Sequence, residues 1–162
     1  MTARAPNKKA ASRLPTLPSL GTHGLGAADQ DLDTFLMLDP IAQSEQIRIG
    51  MEPNIIGRVA AEILKTSVQS LLASLRIPSS TLTRKLAARD RLSSGESDRV
   101  SRVMLVHARA ADVFESRDIA AQWMQVPHAE LSGETPVAML DTQAGYDAVQ
   151  RIIQRIEFGV SV

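Results

Sequence analysis

The chain has 162 residues, sets 18 basic against 18 acidic side chains, and is 44% apolar with only 3% aromatic residues. That length allows one domain or two small ones; a neutral charge balance leaves any nucleic-acid surface to be local; and a core of Leu, Ile, Val, Met and Ala favours helices over sheets. With no cysteine, disulfides, thiol catalysis and thiolate metal sites are excluded, and no apolar run approaches the roughly 20 residues that span a bilayer, so a cytoplasmic protein is expected.

Residues 1–28 carry Pro6, Pro15, Pro18, Gly21, Gly24 and Gly26, four basic residues (Arg4, Lys8, Lys9, Arg13) and no acid before Asp29. They read as a disordered tail, a solvated extension in preference to an arm on the DNA backbone. No apolar segment follows the basic residues, which argues against a secretory signal. Residues 29–53 form an extension of uncertain structure. Leu32, Phe35, Leu36 and Leu38 suit a short helix ended by Asp39-Pro40, while Ile47, Ile49 and Met51 alternate with polar residues and suggest a short strand.

From Pro53 onward the pattern is helical. Ile56, Val59, Ala60, Ile63 and Leu64 recur at helical spacing, and Ser67 is placed to cap a helix bearing Val68, Leu71, Leu72 and Leu75. Arg76-Ile77-Pro78 interrupts, and a third helix opens at Ser79. Residues 67–89 therefore have the proportions of a helix-turn-helix, whose second helix can lie in the DNA major groove. A rotation of about 100° per residue turns Leu82 and Leu86 inward, Ser80 and Arg84 outward, and Thr81 and Thr83 to the flanks. Arg76, Arg84, Lys85, Arg89 and Arg91 against Asp90 alone concentrate positive charge in a neutral protein. Arg84 suits bidentate recognition of guanine. The turn lacks the glycine often found there, so Arg76 is expected in the left-handed region at a strain of about 1 kcal/mol, and Pro78 stands where a polar cap is usual. A plain helical bundle is the competing reading.

Ser93 and Glu96 form a capping box at the start of a long helix with Val100, Val103, Met104, His107, Ala110, Ala111 and Phe114 along its inner face. A further helix holds Ile119, Ala120, Trp123 and Met124 and stops before Pro127. Thr135-Pro136 then starts a short helix with Val137, Met139 and Leu140 on its apolar side. Asp141 and Thr142 end it and offer oxygen acceptors to a last helix. There Val149, Ile152, Ile153, Ile156 and Val160 form one stripe, and Gly159 sits at the C-cap.

The three histidines do not build a catalytic or metal site. His23 lies in the tail, His107 reads as a packed core residue, and His128 has Glu130 nearby but no nucleophile or pocket. No phosphate-cradling glycine loop is present. The sequence argues against an enzyme and calls for no cofactor and no metal.

Residues from about 54 to 161 resemble the Xre-type antitoxins of bacterial RES–Xre toxin–antitoxin pairs, in the MbcA/ParS/Xre group. The specific part is C-terminal: Ala121-x-Trp123-Met124-x-x-Pro127, Leu131-x-Gly133-x-Thr135-Pro136, Met139-Leu140-Asp141-Thr142, Gly145, Val149 and Arg155-Ile156-Glu157-x-Gly159-Val160. Looser similarity covers Ser79-Ser80-Thr81-Leu82-x-Arg84-Lys85, Leu92-Ser93, Glu96-Ser97 and Arg99-Val100.

The resemblance implies an all-α protein in two parts: a helix-turn-helix bundle over 54–115 and a small helical toxin-binding domain over 116–162. It implies a type II antitoxin, a homodimer that occludes the active site of a RES-domain toxin degrading NAD and represses its own operon by binding operator DNA. Carried over, the toxin contacts fall on Arg155, Glu157, Phe158, Gly159, Val160 and Val162. The expected DNA contacts are Ser79, Ser80, Thr81, Thr83, Arg84, Lys85, Arg89 and Arg91. The alternatives are a stand-alone DNA-binding regulator without a toxin and a structural helical adaptor.

Overall fold

Local signals set the helix ends in the computed structural model, which describes residues 32–159; the tail over 1–28 and the residues Val160 and Val162 lie outside them. The first helix, α1 (Leu32–Met37), buries Leu32 and Phe35. Asp39 then begins a new helix instead of merely ending one. Its Oδ1 accepts from the backbone N–H of Ile41 at 2.8 Å and of Ala42 at 3.0 Å, with Pro40 in the first turn of α2 (Pro40–Ile49). The strand expected from the alternation of Ile47, Ile49 and Met51 is thereby overturned. Three alternating residues weigh less than an Asp cap followed by a proline whose missing N–H costs nothing there. Gly50 closes α2 at φ 95°, where an added Cβ would run into the Leu92 carbonyl oxygen. Only glycine fits.

The next helix, α3 (Ile55–Arg58), continues into a π turn, Val59–Ile63. After it come α4 (Val68–Ser74), capped by Ser67, and α5 (Ser79–Ala88). The long α6 (Ser94–Phe114) starts with the expected capping box: Glu96 N–H donates to Ser93 Oγ and Ser93 N–H to the Glu96 carboxylate. α7 (Arg117–Trp123) follows, then two single-turn 3₁₀ segments, Ala129–Leu131 and Val137–Asp141, and finally α8 (Gln143–Phe158). No strand occurs among the described residues, and the fold is all-α.

The core is organised by α6, which buries Val100, Val103, Met104, Val106 and Ala110. One continuous apolar cluster runs from Leu32 and Phe35 through Ile56, Leu71 and Leu75 to Met124, Leu140, Val149 and Ile153. It therefore includes residues of both sequence halves. Each fully buried aliphatic side chain of this kind contributes about 1.5–3 kcal/mol relative to exposure. No helix among the described residues is long and apolar enough to cross a membrane.

Candidate functional site

Two surfaces carry the sequence-derived site residues, and the first is the helix pair α4–α5. The turn between them is a Schellman motif: Arg76 N–H donates to the Ala73 carbonyl at 3.2 Å and Ile77 N–H to that of Leu72 at 2.9 Å, with Ile77 buried. Arg76 takes the left-handed conformation, φ 52°, as the missing glycine requires. Pro78 precedes α5 without a side-chain cap bond.

On α5, Leu82 is buried and Ser79, Ser80, Thr83 and Arg84 are exposed, with Thr81 half-buried. The Thr83 hydroxyl donates to the Ser79 carbonyl at 3.1 Å. Leu86 corrects the expected inward face, since it is 50% exposed. Leu82 is the one residue of α5 that is buried, so the helix meets the core at that level and has left the packing surface a turn later.

The basic residues divide into two groups. The Arg84 and Arg89 side chains form no hydrogen bond or ion pair among the described residues and are exposed. Arg89 ends α5 at φ 56°. The others are engaged. Lys85 Nζ donates to the Arg91 carbonyl at 2.8 Å and lies 3.5 Å from the Glu96 carboxylate. The Arg91 guanidinium reaches the Gly50 carbonyl at 2.8 Å and Glu52 at 2.9 Å. Burial tends to raise the Glu96 carboxyl, but hydrogen bonds from the Ser93 backbone and hydroxyl, with the Lys85 charge, hold it below the usual carboxylate value. Arg76, counted with the DNA-facing charge in the sequence, instead pairs with Asp141 at 2.8 Å.

The second surface is the end of α8. Thr142 caps this helix, its Oγ1 accepting from Gly145 N–H at 3.1 Å, while Thr135 Oγ1 accepts from Ala138 N–H at 3.3 Å to start the preceding 3₁₀ turn. Trp123 packs between Phe114 and His128, with ring centroids 5.6 Å and 5.1 Å away. Val149, Ile152 and Ile153 are buried, but the apolar stripe outlasts the core: Ile156 is 43% and Phe158 65% exposed. Arg155 pairs with Glu130, and Glu157 pairs with Arg109 of α6. Gly159 turns left-handed at φ 63°. These pairs flank the last turn of α8, from which Ile156 and Phe158 stand exposed. Beside it, Glu130, Leu131, Arg151, Ile152 and Arg155 help line a groove of about 310 Å³.

Helical spacing alone assigns Ile156 to the buried stripe. Its periodicity is that of Ile152 and Ile153, and only the three-dimensional extent of the core shows that it is free. His107 is a core residue as expected, its Nε2 donating to the Arg117 carbonyl at 3.0 Å. Burial, chiefly, pushes its imidazole below the ordinary value, which keeps it neutral. No group of His, Asp and Glu suited to a metal ion occurs among the described residues.

Comparison with known proteins bears on the C-terminal part of the chain. Residues 109–159, from the outer face of α6 to the cap of α8, match the antitoxin Xre/MbcA/ParS C-terminal toxin-binding domain. An antitoxin Xre of Photorhabdus laumondii is 38% identical over 79 residues, 48% of this chain and 53% of that protein, so the match spans about half of that relative. An antitoxin Xre of Yersinia enterocolitica is 31% identical over 119 residues, covering 72% of this chain and 78% of the relative. A Sphingobium protein named Prs ADP-ribosylating antitoxin is 26% identical over 117 residues, 62% of this chain and 74% of its own. The chain belongs to the Xre/MbcA/ParS antitoxin family.

Proposed function

We propose that this protein is a type II antitoxin that binds and neutralises a RES-domain, NAD-degrading toxin by covering its active site, and that it represses its own operon through α4–α5. The observation that carries the first half is the end of α8. Ile156 and Phe158 are apolar, exposed and held by two flanking ion pairs, within the segment that matches the family's toxin-binding domain. Apolar anchors on the end of a helix suit insertion into a concave site, because the backbone that carries them is already ordered before binding. Arg155, Glu157 and Gly159 frame these anchors, and Val160 and Val162, next along the sequence, complete the proposed toxin contacts. The name of the Sphingobium relative refers to ADP-ribosylation, a chemistry whose donor is NAD, and this supports an NAD-consuming partner.

For the operator, the contacts come from the exposed start of α5. Ser79, Ser80 and Thr81 present short hydroxyls, and Ser79 and Ser80 their backbone amides, to phosphates, and Arg84 projects toward base edges. Arg89 adds a phosphate contact, while Lys85 and Arg91 serve DNA through the positive field of a locally braced structure. The protein acts in the cytoplasm as a homodimer, in keeping with a two-half-site operator.

Co-expression with the adjacent reading frame tests the proposal. Growth arrest and falling NAD on expressing the neighbour alone, both relieved by this chain in a recoverable complex, are expected. A neighbour without toxicity, together with specific operator binding by the free protein, would favour a stand-alone regulator.

A further inference from the structure

The contacts around Arg76 join the two proposed surfaces. Its backbone ends α4 in the left-handed conformation and so sets the direction in which α5 departs. Two partners hold that turn from outside α4 and α5. The Arg99 guanidinium of α6 donates to the carbonyls of Leu75 and Arg76 at 3.3 and 3.4 Å. The Arg76 side chain, itself reaching outward, meets the largely buried carboxylate of Asp141 at 2.8 Å. Asp141 is the last residue of the 3₁₀ turn Val137–Asp141 and immediately precedes Thr142, the cap of α8.

On the other side, that 3₁₀ turn cannot move independently of α8. The first turn of α8 rests on it so closely that a Cβ on Gly145 would overlap the Met139 carbonyl oxygen. Arg102, one turn after Arg99 on α6, donates to the Leu140 carbonyl at 3.4 Å. A continuous path of direct contacts thus runs from α8 through Met139 and Asp141 to Arg76 and the start of α5.

We propose that Arg76 and Asp141 form a positioning pair through which occupancy of α8 by a toxin changes the DNA affinity of α5. This rests on the function proposed above and adds a route between its two activities. Arg76 is not a DNA contact in this account, although it lies in the most basic stretch of the chain. Because the arginine side of the pair is exposed, the coupling it carries is limited to about fivefold in affinity.

The test uses the full chain, the toxin encoded beside it and duplex DNA from upstream of its own gene. DNA affinity is measured with and without saturating toxin for wild type, Arg76→Gly, Asp141→Asn and the exchanged pair Arg76→Asp/Asp141→Arg. Arg76→Gly suits the left-handed backbone and should fold. The expected result is a toxin-dependent change in wild type that falls toward unity in both single variants, with partial recovery in the exchanged pair. Amide exchange supplies a second readout: toxin should alter protection at Ile77 and Thr81, whose N–H groups donate to Leu72 and Pro78, in wild type and leave it unaltered in the single variants. Coupling and protection changes of equal size in wild type and both single variants would overturn the inference while leaving the proposed function standing. A wild-type protein that bound toxin and DNA with no mutual effect would overturn it as well. A protein that bound no DNA at all would instead remove the operator half of the proposed function, and the inference with it.

Discussion

Gly145 lies against Met139 with no room for a side chain, so the cap of α8 and the 3₁₀ turn before it behave as one rigid piece. The residue is buried, and its N–H also donates to the capping Thr142 hydroxyl oxygen. Gly145→Ala is expected to force α8 away from Met139 and cost about 1–3 kcal/mol, as overpacking usually does. Thermal denaturation should show a melting point several degrees lower. An unchanged melting point would mean that the two segments adjust freely, and the rigid frame for α8 would be lost with it.

Two groups make the fold acid-sensitive in separate windows. His107 has a folded-state value below the ordinary one, so the unfolded chain takes up a proton that the folded one refuses. Stability is then complete above about pH 6.5 and falls as pH drops below it. Glu96 is also lowered, and its contribution, present above the ordinary glutamate value of about 4.5, is lost as pH falls through the folded value. In denaturant titrations, His107→Gln should flatten the upper window and Glu96→Gln the lower one. An unaltered pH profile in His107→Gln would show that the imidazole is not held neutral.

The division among basic residues predicts different phenotypes. Arg84→Ala should relax sequence preference, and Arg89→Ala should weaken binding to all DNA about equally and reduce the salt slope by about 1. Lys85→Ala and Arg91→Ala should lower thermal stability as well, since these side chains hold the start of α6 and the end of α2. Equal loss of preference from Arg84→Ala and Arg89→Ala would contradict the orientation of α5.

The features legible in the sequence were the local ones. Ser67, Ser93 with Glu96, and Thr142 cap the helices they were assigned, because a cap depends on residues three apart. The left-handed Arg76 followed from a turn too tight for anything else. What the sequence left hidden is long-range. Asp141 faces Arg76 instead of capping α8, Glu157 finds Arg109, and Arg155 finds Glu130; charge pairs between distant segments leave no periodic trace. Leu86 and Ile156 share the spacing of buried neighbours, and only the limits of the core expose them. The alternation of Ile47, Ile49 and Met51 misled for the opposite reason, since the decisive signal was eight residues upstream at Asp39.

The most direct measurement is toxin affinity after placing charge on the protruding end of α8. Ile156→Asp/Phe158→Asp alters two exposed residues, so the fold and melting point should be kept. Titration against the purified toxin is expected to show a loss of about thirtyfold or more, the scale of a hot spot worth about 2 kcal/mol, with neutralisation failing in parallel. Wild-type affinity and full neutralisation by this variant would contradict the account and move the toxin contact away from the end of α8.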